Sequence, residues 1–481
     1  MNLDKESHFN QLAYNCSKIA QEKFSYLDEP NLTLSRRLVQ VLINKNNNQI
    51  LASFRHHADS EISEKIVLSE LLKFKIFEIF KNYVQFYILW MLSSIYFLCS
   101  LLKDKKSLQK IIIIDSPIQT YSDPMDFYNV ITNQIKPQNG FHDFLMIARG
   151  NHKTSVHEKF ILHPKPILAA IQRVNVTLSD LFFFYQEQIA MLLLFFKLTF
   201  REPRVSLLYR DFLALSFIKL LDRKELLLYF FKTNSEFTDQ QFWLESEEKN
   251  YRFATLYYSL NTLSFKYKNQ NKTEFYRYRI SYIEEAYTWS KTHQIWIEEL
   301  RGKKVFITKP LLFHKEKKLH NLNFRYVIIF DVTPSNPSAL QNIFYDFQNC
   351  YYTESRCLTF TRDVIEQILS ADPSCKIVIK MKRKIRKPGV EAYYNFIEAQ
   401  EREGKIIVVD PELSTEDLIE KSQLVISYPY TSTNSVAAAL NKPSIYYDPC
   451  DQLDPEGLFD TDLIDFAQTP KQLNEKIRKY L

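Results

Sequence analysis

From Arg325 onward the chain alternates short apolar runs with longer amphipathic stretches. The runs RYVIIFD (Arg325–Asp331), KIVIK (Lys376–Lys380), KIIVVD (Lys405–Asp410), LVISY (Leu424–Tyr428) and SIYYD (Ser444–Asp448) predict five strands. Between them TRDVIEQILSA (Thr361–Ala371), VEAYYNFIEAQERE (Val390–Glu403), STEDLIEKS (Ser414–Ser422) and SVAAALN (Ser435–Asn441) predict helices. The third of these opens with Ser414 as N-cap and Asp417 as its reciprocal capping acid. Strands that are apolar throughout, rather than alternately polar, belong to a parallel sheet covered on both faces. Strand–helix alternation of this kind predicts a doubly wound α/β domain. Ligands in such sheets bind beyond the carboxyl ends of the strands, so the residues there carry the functional argument.

The first two thirds are less regular. Residues 1 to 80 are polar and helix-like, with a turn at Asn46-Asn47-Asn48. Asn82–Leu102 then runs 21 residues without a charge, long enough to span a bilayer. Lys81 precedes it and Lys103, Lys105, Lys106 and Lys110 follow. Gln85, Ser93 and Ser94 dilute its hydrophobicity, so a span, an interfacial helix and a buried core helix all remain open. A second apolar stretch, Leu181–Phe200, is broken by Gln186-Glu187-Gln188 and is expected to be a core helix. KIIIIDSP (Lys110–Pro117), FLMIAR (Phe144–Arg149), LLLYFF (Leu226–Phe231) and KVFIT (Lys304–Thr308) predict further strands. The expected organisation is a helical region over 1–109, a first α/β domain over 110–315 and a second over 316–481.

Composition narrows the chemistry. Only 6 of 481 residues are glycine, where average usage would give roughly 34, and no two lie closer than ten residues apart. That excludes every phosphate cradle built from clustered glycines, including G-x-G-x-x-G and the P-loop. Net charge is +6, from 62 basic and 56 acidic residues, too mild for a dedicated nucleic-acid binder. Six cysteines form no C-x-x-C pair and ten histidines form no metal-ligand spacing, so no metal is expected and the thiols read as reduced. The start, MNLDKESHFNQ, lacks the apolar stretch of a signal peptide, which makes a cytoplasmic location the expectation.

At the strand ends, KMKRK (Lys380–Lys384) offers cations to a phosphate or carboxylate, or else forms a solvated basic turn. YPYTSTNS (Tyr428–Ser435) sets hydroxyls and backbone N–H groups at a helix start, where anions bind readily. YYDP (Tyr446–Pro449) supplies Asp448, either for a ribose or for an Asx turn. Together these suggest a pocket for a nucleoside phosphate carrying a sugar.

Between Ile377 and Pro449 the segments IVIKMKRK, KIIVVDP and LVISYPYTSTNSVAAALNKPSIYYDP resemble bacterial surface-polysaccharide biosynthesis proteins with a PFTS motif, glycosyltransferases of the GT-B type. The motif stands here as Pro429-Tyr430-Thr431-Ser432, with Tyr for Phe, and a Lys-x-Lys-Arg element matches as Lys380, Lys382 and Arg383. KTNSEFTDQQFW (Lys232–Trp243), LYYSLN (Leu256–Asn261) and AYTWSKTHQIWIEEL (Ala286–Leu300) extend the resemblance upstream. It implies a GT-B-like α/β fold of two Rossmann-like domains facing a cleft, besides the N-terminal helical region. The second domain would hold the nucleotide-sugar donor and the first the acceptor, with the closing helix Thr469–Leu481 crossing back to the first domain. A more distant similarity is to transferases that use CMP-activated sialic acid or Kdo and carry a His-Pro pair after the second strand. Here Met381-Lys382 stands there and the only His-Pro, His163-Pro164, lies in the other half, so CMP-, UDP- and GDP-linked donors all stay open.

The expected activity is transfer of a sugar from a nucleotide-sugar to a growing cell-surface polysaccharide or lipid-linked glycan. No metal or cofactor takes part, and cations at the donor replace a metal. Lys380, Lys382, Arg383, Pro429, Tyr430, Thr431, Ser432, Thr433 and Asp448 are the expected donor residues. Asp115 and Glu236 are candidate catalytic bases, with Asn234 and Ser235 lining the acceptor side. Each acid also has a plainer reading, Asp115 as a turn cap and Glu236 as a surface acid. The chain is expected to sit on the inner face of the cytoplasmic membrane, with no nucleic-acid partner. Two other readings remain: a nucleotide-sugar epimerase or polyol-phosphate transferase on the same scaffold, and a non-catalytic membrane-associated assembly protein.

Overall fold

The computed structural model describes residues 15–28, 34–57, 63–73, 75–101, 110–117, 132, 144–149, 155–156, 160–163, 165–233, 240–246, 248–257, 268, 282–301, 304–307, 322, 324–334, 352–382, 389–411, 413–455 and 463–481. Two compact units are present, the first drawn from residues 1–119, 131–256 and 276–287 and the second from 120–130, 257–275 and 288–481. Each is described by itself.

In the first unit helical residues 15–24 and then α1 (Leu34–His57), α2 (Ser63–Leu72) and α3 (Ile76–Leu101) precede the first strand. Strands β1 (Lys110–Pro117), β2 (Phe144–Arg149), β3 (Ser155–Val156) and β4 (Phe160–His163) follow. Helices α4 (Pro166–Ile171), α5 (Leu178–Arg201) and α6 (Tyr209–Arg223) then lead to β5 (Leu227–Thr233), β6 (Arg252–Leu256) and β7 (Glu285–Thr288). Helix α7 (Lys291–Arg301) and strand β8 (Lys304–Ile307) come next in the chain and fall within residues 288–481, counted with the second unit. The eight-stranded sheet has the order β3-β4-β2-β1-β5-β6-β7-β8. It is parallel from β4 through β7, and β3 runs antiparallel at its edge. Ile111 to Ile114 of β1 are buried on both faces, as an all-apolar central strand requires.

The second unit contains β9 (Tyr326–Phe330), α8 (Glu354–Ala371), β10 (Lys376–Lys380), α9 (Glu391–Arg402) and β11 (Ile407–Val409). It continues with α10 (Thr415–Lys421), β12 (Leu424–Ser427), α11 (Ser432–Ala439), β13 (Ser444–Tyr447), β14 (Ile464–Ala467) and α12 (Pro470–Tyr480). All six strands are parallel, in the order β11-β10-β9-β12-β13-β14. Numbered within the unit this is 3-2-1-4-5-6, the order of dinucleotide-binding sheets. Both units are therefore doubly wound α/β, as expected. The β4-β2-β1-β5-β6-β7 stretch of the first sheet has the same order.

One local expectation holds and others change. Ser414 does cap α10, accepting from the Asp417 amide at 3.2 Å. The closing helix docks within its own unit: Leu473 and Ile477 are buried, Asn474 Nδ2 donates to the Gln367 carbonyl at 3.2 Å and Arg478 to that of Ser370 at 3.0 Å. Its amphipathic stripe is thus spent on α8. The apolar stretch is helical as far as it is described, within Ile76–Leu101, with Asn82, Phe86 and Phe97 buried. Helix α5, expected in the core, buries Phe184, Met191, Phe195 and Leu198 but leaves Leu178, Phe182, Leu193 and Phe200 exposed, so only one of its faces is core.

Helix α8 supports the carboxyl end of the second sheet. Fully buried Phe360 stacks on Tyr428 at 3.8 Å and leans on Tyr447 at 5.8 Å. Phe360→Ala is expected to cost about 3–5 kcal/mol, the range for an aromatic cavity that cannot collapse, read by denaturant unfolding followed by circular dichroism. A loss below about 1 kcal/mol would mean that this stack does not hold the strand end.

Candidate functional site

The second sheet reverses its strand order at β9: the chain goes from β9 out to β10 and β11, then returns to β12 on the other side. At such a point the connections leave in opposite directions and a crevice opens at the carboxyl ends. Register places the ends level, with Phe330 of β9 opposite both Lys380 of β10 and Ser427 of β12.

Asp331, the residue after β9, is buried in this crevice. It accepts from the Lys382 amide and, at 3.0 Å, from the Tyr393 hydroxyl. Burial pushes its carboxyl up to about 7, against the lowering pull of those two donors and of Lys382 and Lys380. Lys380 turns its ammonium onto the Pro411 carbonyl at 2.8 Å, and burial lowers its pKa despite Asp331 and Asp410. Lys382 is exposed at the end of the strand; Arg383 lies outside the described residues.

Across the crevice β12 ends in Ser427 and enters the turn that starts α11. Ser427 Oγ lies 2.7 Å from Thr431 Oγ1 and 2.6 Å from Asn434 Oδ1. Thr431, the N-cap residue, donates its hydroxyl back to the Tyr428 carbonyl at 2.7 Å and makes no side-chain cap bond to the first-turn amides of α11. Thr431 thus gives the helix start no side-chain cap, and helix N-termini attract anions. Asn434 is fully buried and its Nδ2 has no hydrogen-bond partner. Ser432 is buried, and Thr433 stands 3.3 Å from Thr431, hydroxyl to hydroxyl. Tyr352 and Tyr446 donate to the Pro429 and Thr431 carbonyls, which fixes the turn from both sides.

Asp448 is held by its own loop. Its carboxylate accepts from the amides of Cys450, Gln452 and Leu453 at 3.1, 2.7 and 2.8 Å, and the residue is fully buried. The expected ribose contact is corrected to a turn anchor, because the carboxylate is occupied by its own loop.

In the first unit Asp115 stands at the corresponding place, the end of the central strand β1. Lys232 of β5 pairs with its Oδ2 at 2.9 Å and Arg149 of β2 with its Oδ1, while Gln241 donates at 3.2 Å. Burial pushes the carboxyl up, but the two cations outweigh it and hold it at about 2. A carboxylate held this strongly is a weak proton acceptor at neutral pH, and its geometry is that of an ion-pair anchor. Glu236, Asn234 and Ser235 lie outside the described residues. Sequence reasoning passed over Asp331, Lys232 and Arg149, and the signal available was that each ends an apolar run.

The profile of the family described as "Polysaccharide biosynthesis PFTS motif protein" matches residues 189–477. The chain belongs to the polysaccharide biosynthesis PFTS motif family. No curated protein matches it. Among solved structures it is similar to the UDP-GlcNAc 2-epimerase of Methanocaldococcus jannaschii, with 11% identity, a TM-score of 0.41 and coverage of 77% of this chain and 92% of that one. A glycosyltransferase from Rickettsia africae is similar at 10% identity and TM-score 0.38, over 78% of this chain and 88% of that one. S. aureus TarM is similar at 10% identity and TM-score 0.33, over 56% of this chain and 50% of that one.

The PFTS motif of this chain is the strained part of the crevice. Tyr430 has φ 61° and is buried, a left-handed conformation that a bulky residue adopts only when its surroundings enforce it. The turn thereby swings the chain straight from β12 into α11.

Asp331 gives the site a measurable pH signature. Its folded pKa, about 7, lies above the ordinary 3.8, so the folded state holds the extra proton between those values. Stability is therefore favoured on the acid side of that window and lost as pH rises through 7. Asp331→Asn is expected to raise Tm by roughly 2–5 °C at pH 8, with the gain fading toward pH 5, in differential scanning calorimetry. A variant less stable than the parent at pH 8 would show that the Asp331 carboxylate is stabilised by its partners rather than penalised by burial.

Proposed function

We propose that this PFTS motif protein is a glycosyltransferase that takes its sugar from a nucleotide-sugar donor bound at the crevice of the second sheet. The observation that carries the reading is the start of α11 at the switch point, where the N-cap Thr431 side chain makes no cap bond, with Lys380 and Lys382 at the end of the strand on the other side of β9. Helix amides and a cationic strand end suit a phosphate or diphosphate, and they would stabilise the charge that develops on it as the glycosidic bond breaks. The acceptor on this reading is a growing polysaccharide or a lipid-linked glycan, which the family membership supports.

The test is a thermal-shift panel of CMP, UDP, GDP, dTDP and CDP compounds, followed by titration of the best ligand. Lys382→Ala and Ser432→Pro are each expected to weaken it ~10–100-fold, the range for one charge-assisted hydrogen bond. Proline suits the first position of a helix and removes one amide donor, and Thr431, at φ −82° and ψ 148°, already has the extended backbone that precedes proline. If no compound shifts the melt at millimolar levels, the reading fails. Donor consumed without any acceptor would favour an epimerase instead.

A further inference from the structure

We propose that α3 and α5 form a docking face for an anionic lipid surface, on which the first unit lies. This goes beyond the donor reading and does not depend on it. The two helices are held side by side by rings: Phe86 stacks on Phe195 at 4.1 Å, Phe97 on Phe184 at 4.0 Å and Tyr83 on Phe196 at 5.4 Å. Rising numbers on α3 meet falling numbers on α5, so the pair is antiparallel. With 26 residues, α3 extends about 39 Å.

The outward faces are the reverse of what water selects. Ten described positions of α3 are exposed; nine, from Phe77 to Leu98, are large apolar residues and the tenth is Lys81. On α5, Leu178 is 82% exposed, Phe182 74% and Phe200 84%, with Ile189 and Leu193 on the same stripe. Soluble proteins scatter such residues singly, and a continuous stripe on two neighbouring helices marks an interaction surface.

Charge says what covers it. The acids of the two helices are spent inside the protein: Glu78 pairs with Lys45, Asp180 with Lys224 and Glu187 with Lys219. The exposed charges among the described residues of the pair are Lys81, Lys197 and Arg201, all positive. Beyond α3 the sequence reads Lys103-Asp104-Lys105-Lys106. An apolar face rimmed by cations complements anionic headgroups over an acyl layer. A second copy would bring the same cations against each other across a two-fold axis.

The face lies on the bilayer rather than crossing it. Helix α5 is long and apolar enough to span by length and composition alone. However, Thr177 and Asp180 close a capping box at its start and Asp180 is paired with Lys224. On α3, buried Asn82 donates to Ser206 at 3.3 Å. Inserting either helix across the bilayer would break these contacts and carry polar groups into hydrocarbon.

The experiment is flotation of the full chain with vesicles of phosphatidylethanolamine and phosphatidylglycerol, and separately of phosphatidylcholine. The parent is expected to float with the anionic vesicles, several-fold more strongly than with the neutral ones. Ile88→Glu with Leu92→Glu is expected to lower that binding at least ~10-fold while the melting curve and any nucleotide shift stay unchanged. Because those positions are exposed, folding should survive. If it does not, Lys81→Glu with Arg201→Glu is expected to lower anionic binding several-fold without touching a packed group. A parent that floats with neither vesicle, floats equally with both, or is matched by both variants overturns the proposal. So does a dimer that the glutamate variant dissociates, which would assign the face to a second copy. A chain that floats yet shifts with no nucleotide leaves this face standing and counts against the donor reading alone.

Discussion

Parallel pairing of β9 between β10 and β12 is the constraint from which the candidate site follows. A parallel strand cannot return by a hairpin, so every connection must cross a face of the sheet, and right-handed crossovers send the two halves of the unit to opposite sides. The diverging connections leave a gap at the end of β9. It is walled by whatever the neighbouring strands present: the Asp331 carboxyl, the Lys380 end and the start of α11. Phe330, level with Lys380 and Ser427, sets these within one layer. The aromatic stack of Phe360 on Tyr428 secures the same layer from the helix side.

The same strand order in the two sheets ends its central strand in an aspartate each time, and the surroundings give the two opposite characters. Asp115 meets Lys232 and Arg149 directly and stays ionised. Asp331 meets an amide and a phenol, with the Lys380 ammonium on the Pro411 carbonyl, and burial dominates. A buried carboxylate bound by two cations is a rigid strut, costly to disturb because removing one partner strands the others. A buried carboxyl poised near neutrality is a switchable group, able to present a proton donor or a negative charge to whatever occupies the crevice.

How much could be read beforehand depended on whether the deciding quantity was local. Strands such as KIVIK and LVISY announce themselves because a central parallel strand is apolar on both faces. Strands β6, β7 and β14 carry Arg252, Glu285 and Asp465 within four or five residues and sit toward one side of their sheets, so they lack that signature. The Pro429–Thr433 turn was legible because helix starts have their own residue preferences. The fate of Asp448 was not, since its alternatives differ only in whether three downstream amides reach it. Nor was the character of Asp331, because burial is a property of the packed unit. Asp115 owes its state to Arg149 and Lys232, which come from other strands and share no local pattern with it.

The scarcity of glycine has a consequence for the chain before it folds. Left-handed backbone is needed in several turns, and besides Gly389 and Gly404 the described residues supply it with Glu225, Tyr430, Asn441 and Asp451. Each such residue strains the native state by about 1–3 kcal/mol where glycine would not. Yet every position that carries a side chain instead of glycine also restricts the denatured ensemble, lowering by ~0.4–1 kcal/mol the entropy that folding must remove. Among the described residues the strain is confined to four turns, while the restriction is spread over the whole chain. A composition that looked like a shortage of flexible hinges is therefore also a narrowing of the disordered state from which this protein folds.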